Sequence, residues 1–85
     1  MQTELFPKDV TSNVPRITLV GCERLHVEQH SGLIDYDSDH IVLRTARGLM
    51  CVTGAGMRFN LYTAGEAMII GRIDSVAFRE KEERA

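Results

Sequence analysis

Tryptophan is absent from this 85-residue chain, and three Phe and two Tyr are its only aromatic residues. A chain this short buries only about 60–65% of its unfolded surface, so two independent cores are excluded and one small apolar core is the ceiling. The 44% of hydrophobic residues suffices for that core, with self-association as a further source of burial. Long apolar runs are also missing. The longest, Leu49–Val52 and Ala67–Ile70, fall far short of the roughly 18 residues of a membrane-spanning helix. No direct membrane insertion is expected, and any membrane contact should come through a partner.

Charge of one sign is lacking as well. The formal net charge is −2 with both signs spread along the chain, so the electrostatic footprint of a nucleic-acid binder is absent. The densest charge run, Arg79-Glu80-Lys81-Glu82-Glu83-Arg84, cancels internally and reads as a solvated tail over residues 80–85. Only two cysteines occur, Cys22 and Cys51, too few for a secreted disulfide scaffold. Neither has a second thiol or a His at ligand spacing, and both read as small apolar fillers in a reducing compartment. The stretch Met1–Asp9 has no basic segment followed by an apolar one, so a cytoplasmic location is expected.

What is present is a rhythm of short apolar bursts. Both prolines, Pro7 and Pro15, fall in an irregular lead-in over residues 1–16, with one helical turn near Pro7–Val10. Then come Ile17–Val20, Arg24–Gln29, Gly32–Asp35, Ile41–Thr45, Gly48–Thr53, Met57–Thr63, Glu66–Arg72 and Ile73–Arg79. Within them Leu25 and Val27, Ile41 and Leu43, and Met57, Phe59 and Leu61 alternate with polar neighbours, the period of a half-buried strand. Gly48–Val52 and Ala67–Ile70 are apolar on both faces and should be central, or covered by a second layer or subunit. Turns are expected at Gly21-Cys22-Glu23, Ser31-Gly32, Asp37-Ser38-Asp39, Arg47-Gly48, Gly54-Ala55-Gly56 and Ala64-Gly65, and a bulge or bend at Gly71. The fold class is all-β: a single domain over residues 17–79, of about seven or eight short, mostly antiparallel strands in a sandwich-like or rolled sheet. The near-regular spacing keeps a short β-solenoid as the alternative. Apart from the turn rhythm, no internal sequence repeat is visible.

Chemistry-bearing patterns are few. His26, Glu28 and His30 would lie on one face of a strand, but His26 and His30 are then about 13 Å apart at a rise of about 3.3 Å per residue, too far to share an ion. Asp35, Asp37 and Asp39 imitate the start of a calcium loop, yet His40 and Ala46 stand where the turn glycine and the bidentate Glu belong. A polar hairpin turn fits better. Gly54-Ala55-Gly56 has neither the third glycine nor the following helix of a dinucleotide site. No nucleophile elbow or converging carboxylate pair is present, so the expectation is no enzyme, no metal and no cofactor.

The strings Leu5–Val10 and Asn13–Gly21, with Leu25–Ile34, Ile41–Thr45, Gly48-Leu49, Val52–Gly54 and Ile70–Phe78, resemble the YabP/YqfC family of sporulation proteins. The resemblance covers residues 5–79, and the lead-in through Pro15 is closer to the YqfC branch. It implies a non-enzymatic structural or adaptor component of the mother cell during endospore formation, peripheral at a membrane through a YqfD-like membrane protein. A homo-oligomer is expected. The alternative is a self-assembling β scaffold forming rings or filaments. The resemblance runs through Arg16, His30 and Gly32, which become the candidate partner-binding residues. Their structural roles would be an ion pair across the sheet for Arg16, a turn cap for His30 and a positive-φ turn for Gly32.

Overall fold

A computed structural model describes residues 14–80. The helical turn expected near Pro7–Val10 and nearly all of the charged tail lie outside them. The described chain is all-β, with six antiparallel strands: β1 (Arg16–Val20), β2 (Arg24–Glu28), β3 (His30–Asp37), β4 (His40–Thr45), β5 (Gly48–Tyr62) and β6 (Glu66–Arg79). Their order is β1-β2-β6-β5-β4-β3, and the antiparallel pairing rules out the solenoid.

Six strands stand where seven or eight were expected, because two glycine signals are bends rather than breaks. Gly54-Ala55-Gly56 does not end a strand; it lies inside β5, where the register against β6 shifts. Gly71 likewise lies inside β6, as the bend read there requires. Four of the bursts thus fuse into one long β5–β6 ribbon. Ser31-Gly32 is also no turn, since both residues belong to β3 and the strand bulges between His30, paired with Thr45, and Gly32, paired with Arg44.

The bends fold the sheet over. Strand β4 pairs only with Gly48–Thr53 of β5, whereas β2 pairs only with Glu66–Ile70 of β6. The ribbon therefore carries β3 and β4 on one half and β1 and β2 on the other. Apolar residues from both halves close on one core of Leu25, Val27, Ile41, Leu43, Met50, Val52, Met57, Ile69 and Ile73. Each such side chain contributes roughly 1.5–3 kcal/mol on burial. Gly48–Val52 and Ala67–Ile70 hold the centre, as their two-sided apolar character requires. Cys22 departs from expectation: it is exposed in the β1–β2 turn, while Cys51 is half-buried and both thiols are free.

The two halves are built alike, a repeat that the residues themselves do not display. Carbonyls of the β1–β2 turn cap the bend in β6, with Gly71 N donating to Glu23 O at 3.2 Å and Ile73 N to Cys22 O at 2.8 Å. Carbonyls of the β3–β4 turn cap the bend in β5 the same way, with Gly54 N donating to Asp39 O at 3.1 Å and Met57 N to Ser38 O at 2.9 Å. By register Leu25 answers to Ile41, Val27 to Leu43, and Val52 to Ile69. The core is thus assembled from paired positions about an approximate two-fold axis.

At the bends two backbones touch. A Cβ on Gly71, whose φ is +132°, would stand 2.5 Å from Gly56 O and 2.8 Å from Met57 Cα. Gly71→Ala is expected to destabilise by about 2–5 kcal/mol through strain and backbone collision. Gly65, with open space around it, serves as control, and Gly65→Ala should stay within about 0.5 kcal/mol. Urea unfolding of the two variants checks both.

Candidate functional site

Strands β2 and β3 belong to opposite halves of the folded sheet, yet Gln29 alone joins them. Its φ of +74° is a left-handed conformation that a non-glycine residue holds only when its surroundings enforce it. Here Gly65 O does so, accepting from Gln29 N at 2.7 Å and from His30 N at 3.3 Å. Glu28, Gln29, Thr63, Gly65 and Glu66 surround a shallow polar depression of about 290 Å³ at this junction.

The three candidate residues lie around it with different roles. Arg16 opens β1, exposed, in register with Glu28, which is itself in register with Glu66. His30 is 4% exposed and does not join His26 on a strand face, because β2 ends at Glu28 and the chain turns at Gln29. Its Nε2 donates to Thr63 O at 2.9 Å and its Nδ1 accepts from Gly32 N at 3.0 Å, which places the ring proton on Nε2. The ring also packs on Tyr62, with centroids 5.1 Å apart. His30 therefore bolts the start of β3 to the end of β5, a larger duty than a turn cap. Gly32 has φ +154°, and a Cβ there would meet the Arg44 guanidinium at 3.1 Å.

His26 finds another partner. Its Nε2 donates to Glu66 Oε2 at 2.6 Å, while Glu28 Oε2 lies 3.7 Å from Nδ1. Glu66, Thr63 and Gln29 were not legible as site residues, since nothing local marks a glutamate as the cross-strand neighbour of a histidine far away in the chain.

A second polar cluster lies at the β3–β4 turn. His40 Nε2 donates to Asp35 Oδ2 at 2.9 Å and Nδ1 to Asp39 Oδ1 at 3.1 Å. Asp37, Asp39 and His40 bring ligand-type atoms within 4.8 Å of one another, but Asp37 and Asp39 are exposed and Asp37 also accepts from Ser38 N at 2.7 Å. This is the polar hairpin turn read from the sequence. Hydrogen bonds from His40 to Asp35 and Asp39 raise the His40 pKa above its ordinary 6.5, and the His40 bond lowers the Asp35 pKa below 3.8.

The YabP family model matches residues 11–85. The chain belongs to the YabP family. It is also 30% identical over 75 residues to the uncharacterized protein YqfC of Bacillus subtilis (strain 168), covering 88% of this chain and 81% of that protein. Both agree with the YabP/YqfC resemblance read from the residues.

His30→Ala strands the Gly32 N–H and the Thr63 carbonyl and opens a cavity beside Tyr62, so unfolding should become easier by about 2–4 kcal/mol, with Gly32→Ala costing about 1 kcal/mol or more. Chemical denaturation measures both. His40 should titrate above 6.5 by NMR, and Asp35→Asn should lower its midpoint. Because the folded pKa is raised, the contact stabilises fully below the unfolded value and fades as pH rises through the folded one; the Asp35 contribution is lost as pH falls below 3.8.

Proposed function

We propose that this chain is a non-enzymatic adaptor of endospore formation, working in the mother-cell cytoplasm and held at a membrane through a protein partner of the YqfD-like kind. Family membership supplies the setting. The observation that carries the reading is the surface. Leu19, Val20, Leu33, Ile34, Tyr36, Leu61, Tyr62 and Phe78 are all large apolar residues left exposed, most of them on edge strands. Exposed apolar side chains beside unpaired backbone edges are the means by which a small β domain binds a partner strand.

The polar features offer little to catalysis. The depression at the β2–β3 junction is shallow, and the His26–Glu66 pair beside it excludes no water. Arg16 sits at an exposed edge and is suited to partner contact, whereas buried His30, with Gly32, holds the start of β3 in place. No helix among the described residues is long and apolar enough to cross a membrane, so the reading assigns membrane attachment to the partner.

The test is a tagged pull-down from detergent-solubilised membranes of sporulating cells, with mass spectrometry of the eluate. Enrichment of one integral membrane protein, weakened by Arg16→Glu without loss of folding, is the expected result. Recovery of the chain alone as a large soluble assembly would replace the adaptor with the self-assembling scaffold.

A further inference from the structure

The folded sheet has two seams where its halves meet, and the approximate two-fold makes them comparable. One seam, between β3 and the second half of β5, is closed by rings: Tyr36 on Phe59 at 5.1 Å, Phe59 on Tyr62 at 5.2 Å and Tyr62 on His30 at 5.1 Å. By register, the corresponding residues at the other seam, between β1 and the second half of β6, are Leu19 for Tyr36, Val76 for Phe59 and Phe78 for Tyr62. Leu19 and Val76 are smaller, and Phe78 has no ring partner among the described residues. Leu19 at 48% and Phe78 at 45% are about as exposed as Tyr36 at 47% and Tyr62 at 44%, and what sets this side apart is an apolar groove of about 400 Å³ lined by Val14, Pro15, Ile17, Arg47 and Phe78.

The backbone edges differ in the same sense. Strand β3 is bulged at two places and carries Asp35 and Asp37, devices that block edge pairing. The second half of β5 is bulged between Phe59 and Leu61 and lies under the rings of β3. The second half of β6, paired with itself over its full length, would set Arg72 opposite Arg79. Strand β1 has none of these protections. Its five residues, Arg16-Ile17-Thr18-Leu19-Val20, pair with β2 without a bulge and carry one charge.

We infer that β1 pairs antiparallel with β1 of a second copy, about a two-fold axis through Thr18, so that the sheet runs on across both chains. The strand is complementary to itself in this register. Thr18 meets Thr18, Ile17 meets Leu19, and Arg16 meets Val20, so no like charges stand opposite and the Thr pair and the apolar pairs are favourable. Leu19 of each copy arrives beside Ile17 of the other, on the side of the groove. Val20, at 52% the most exposed large apolar residue described, is covered at the same time. This names one contact within the adaptor reading and takes only its setting from it; the contact itself needs no membrane partner.

The test uses the purified full chain. Sedimentation velocity across a concentration series should show a monomer–dimer equilibrium, and Thr18→Glu, which sets two carboxylates face to face, should raise the dimer dissociation constant by about tenfold or more with an unchanged circular dichroism spectrum. With Cys22→Ser and Cys51→Ala as background, Thr18→Cys should form an intermolecular disulfide on mild oxidation, because the two Cα atoms then lie about 4.5–5.5 Å apart, within the span of a disulfide. Val20→Cys should not, its two copies being about 13 Å apart. A strict monomer at all concentrations overturns the inference. So does a dimer that Thr18→Glu leaves intact, or cross-linking at Val20 in place of Thr18. Steadily growing particles that Thr18→Glu does not stop would also overturn it and favour open-ended assembly. Loss of membrane-partner capture with this dimer intact would count against the adaptor reading alone.

Discussion

The whole architecture depends on two backbones passing within contact distance at the bends of one hairpin. A six-stranded sheet laid flat would leave one apolar face in water. Folding the β5–β6 ribbon upon itself buries that face, and this requires Gly54 and Gly71 where the strands cross, since a Cβ on Gly71 would strike the backbone at Gly56 and Met57. The bent segments are then capped by carbonyls from the two hairpin turns. Each turn thereby does the work that a neighbouring strand would do in a flat sheet, which is why the bends persist without orphaned amides at Gly54, Met57, Gly71 and Ile73.

Fold class and core were legible because strand alternation survives in the residues themselves. Leu25, Val27, Ile41 and Leu43 are all fully buried, as their alternation requires. Strand number was not legible. Gly54-Ala55-Gly56 has the composition of a turn, and whether a glycine cluster reverses the chain or merely bends it is decided by what packs there. The same limit explains Gly32, where Ser31-Gly32 reads as a turn but forms a bulge, and Cys22, whose apolar character implies burial that a turn tip cannot provide.

The candidate site was legible only in part, and histidine shows why. His26, His30 and His40 fall in one short stretch, and local spacing invites grouping the first two. The structure separates all three. His26 donates to Glu66 across the sheet, His30 is buried between two backbone groups, and His40 is held by aspartates of its own hairpin. Only the last is a local arrangement, and only there did the residues indicate the outcome, a polar turn. The separation of His26 from His30 depends on Gln29, and a left-handed glutamine has no composition signal. Its conformation is enforced by Gly65, which the sheet brings to it.

Near-symmetry gives the departures from symmetry their meaning. Where two halves share bends, caps and buried positions, a difference at equivalent sites isolates what one half has and the other lacks. Around the aromatic seam the halves lock to each other, and the edge beside it is bulged and acidic. Around the other seam the equivalent side chains are Leu19, Val76 and Phe78, and the edge beside it is regular and almost uncharged. Side chains without ring-on-ring contacts and an unprotected edge are separate properties, one of side chains and one of backbone. Their coincidence on a single side concentrates the available binding energy there, because a strand added at β1 would satisfy exposed amides and cover exposed apolar surface in the same step. A partner docking at the aromatic seam would have to displace rings that already satisfy one another. The two sides therefore differ less in how much apolar surface they expose than in ring contacts and in the regularity of the edge strand.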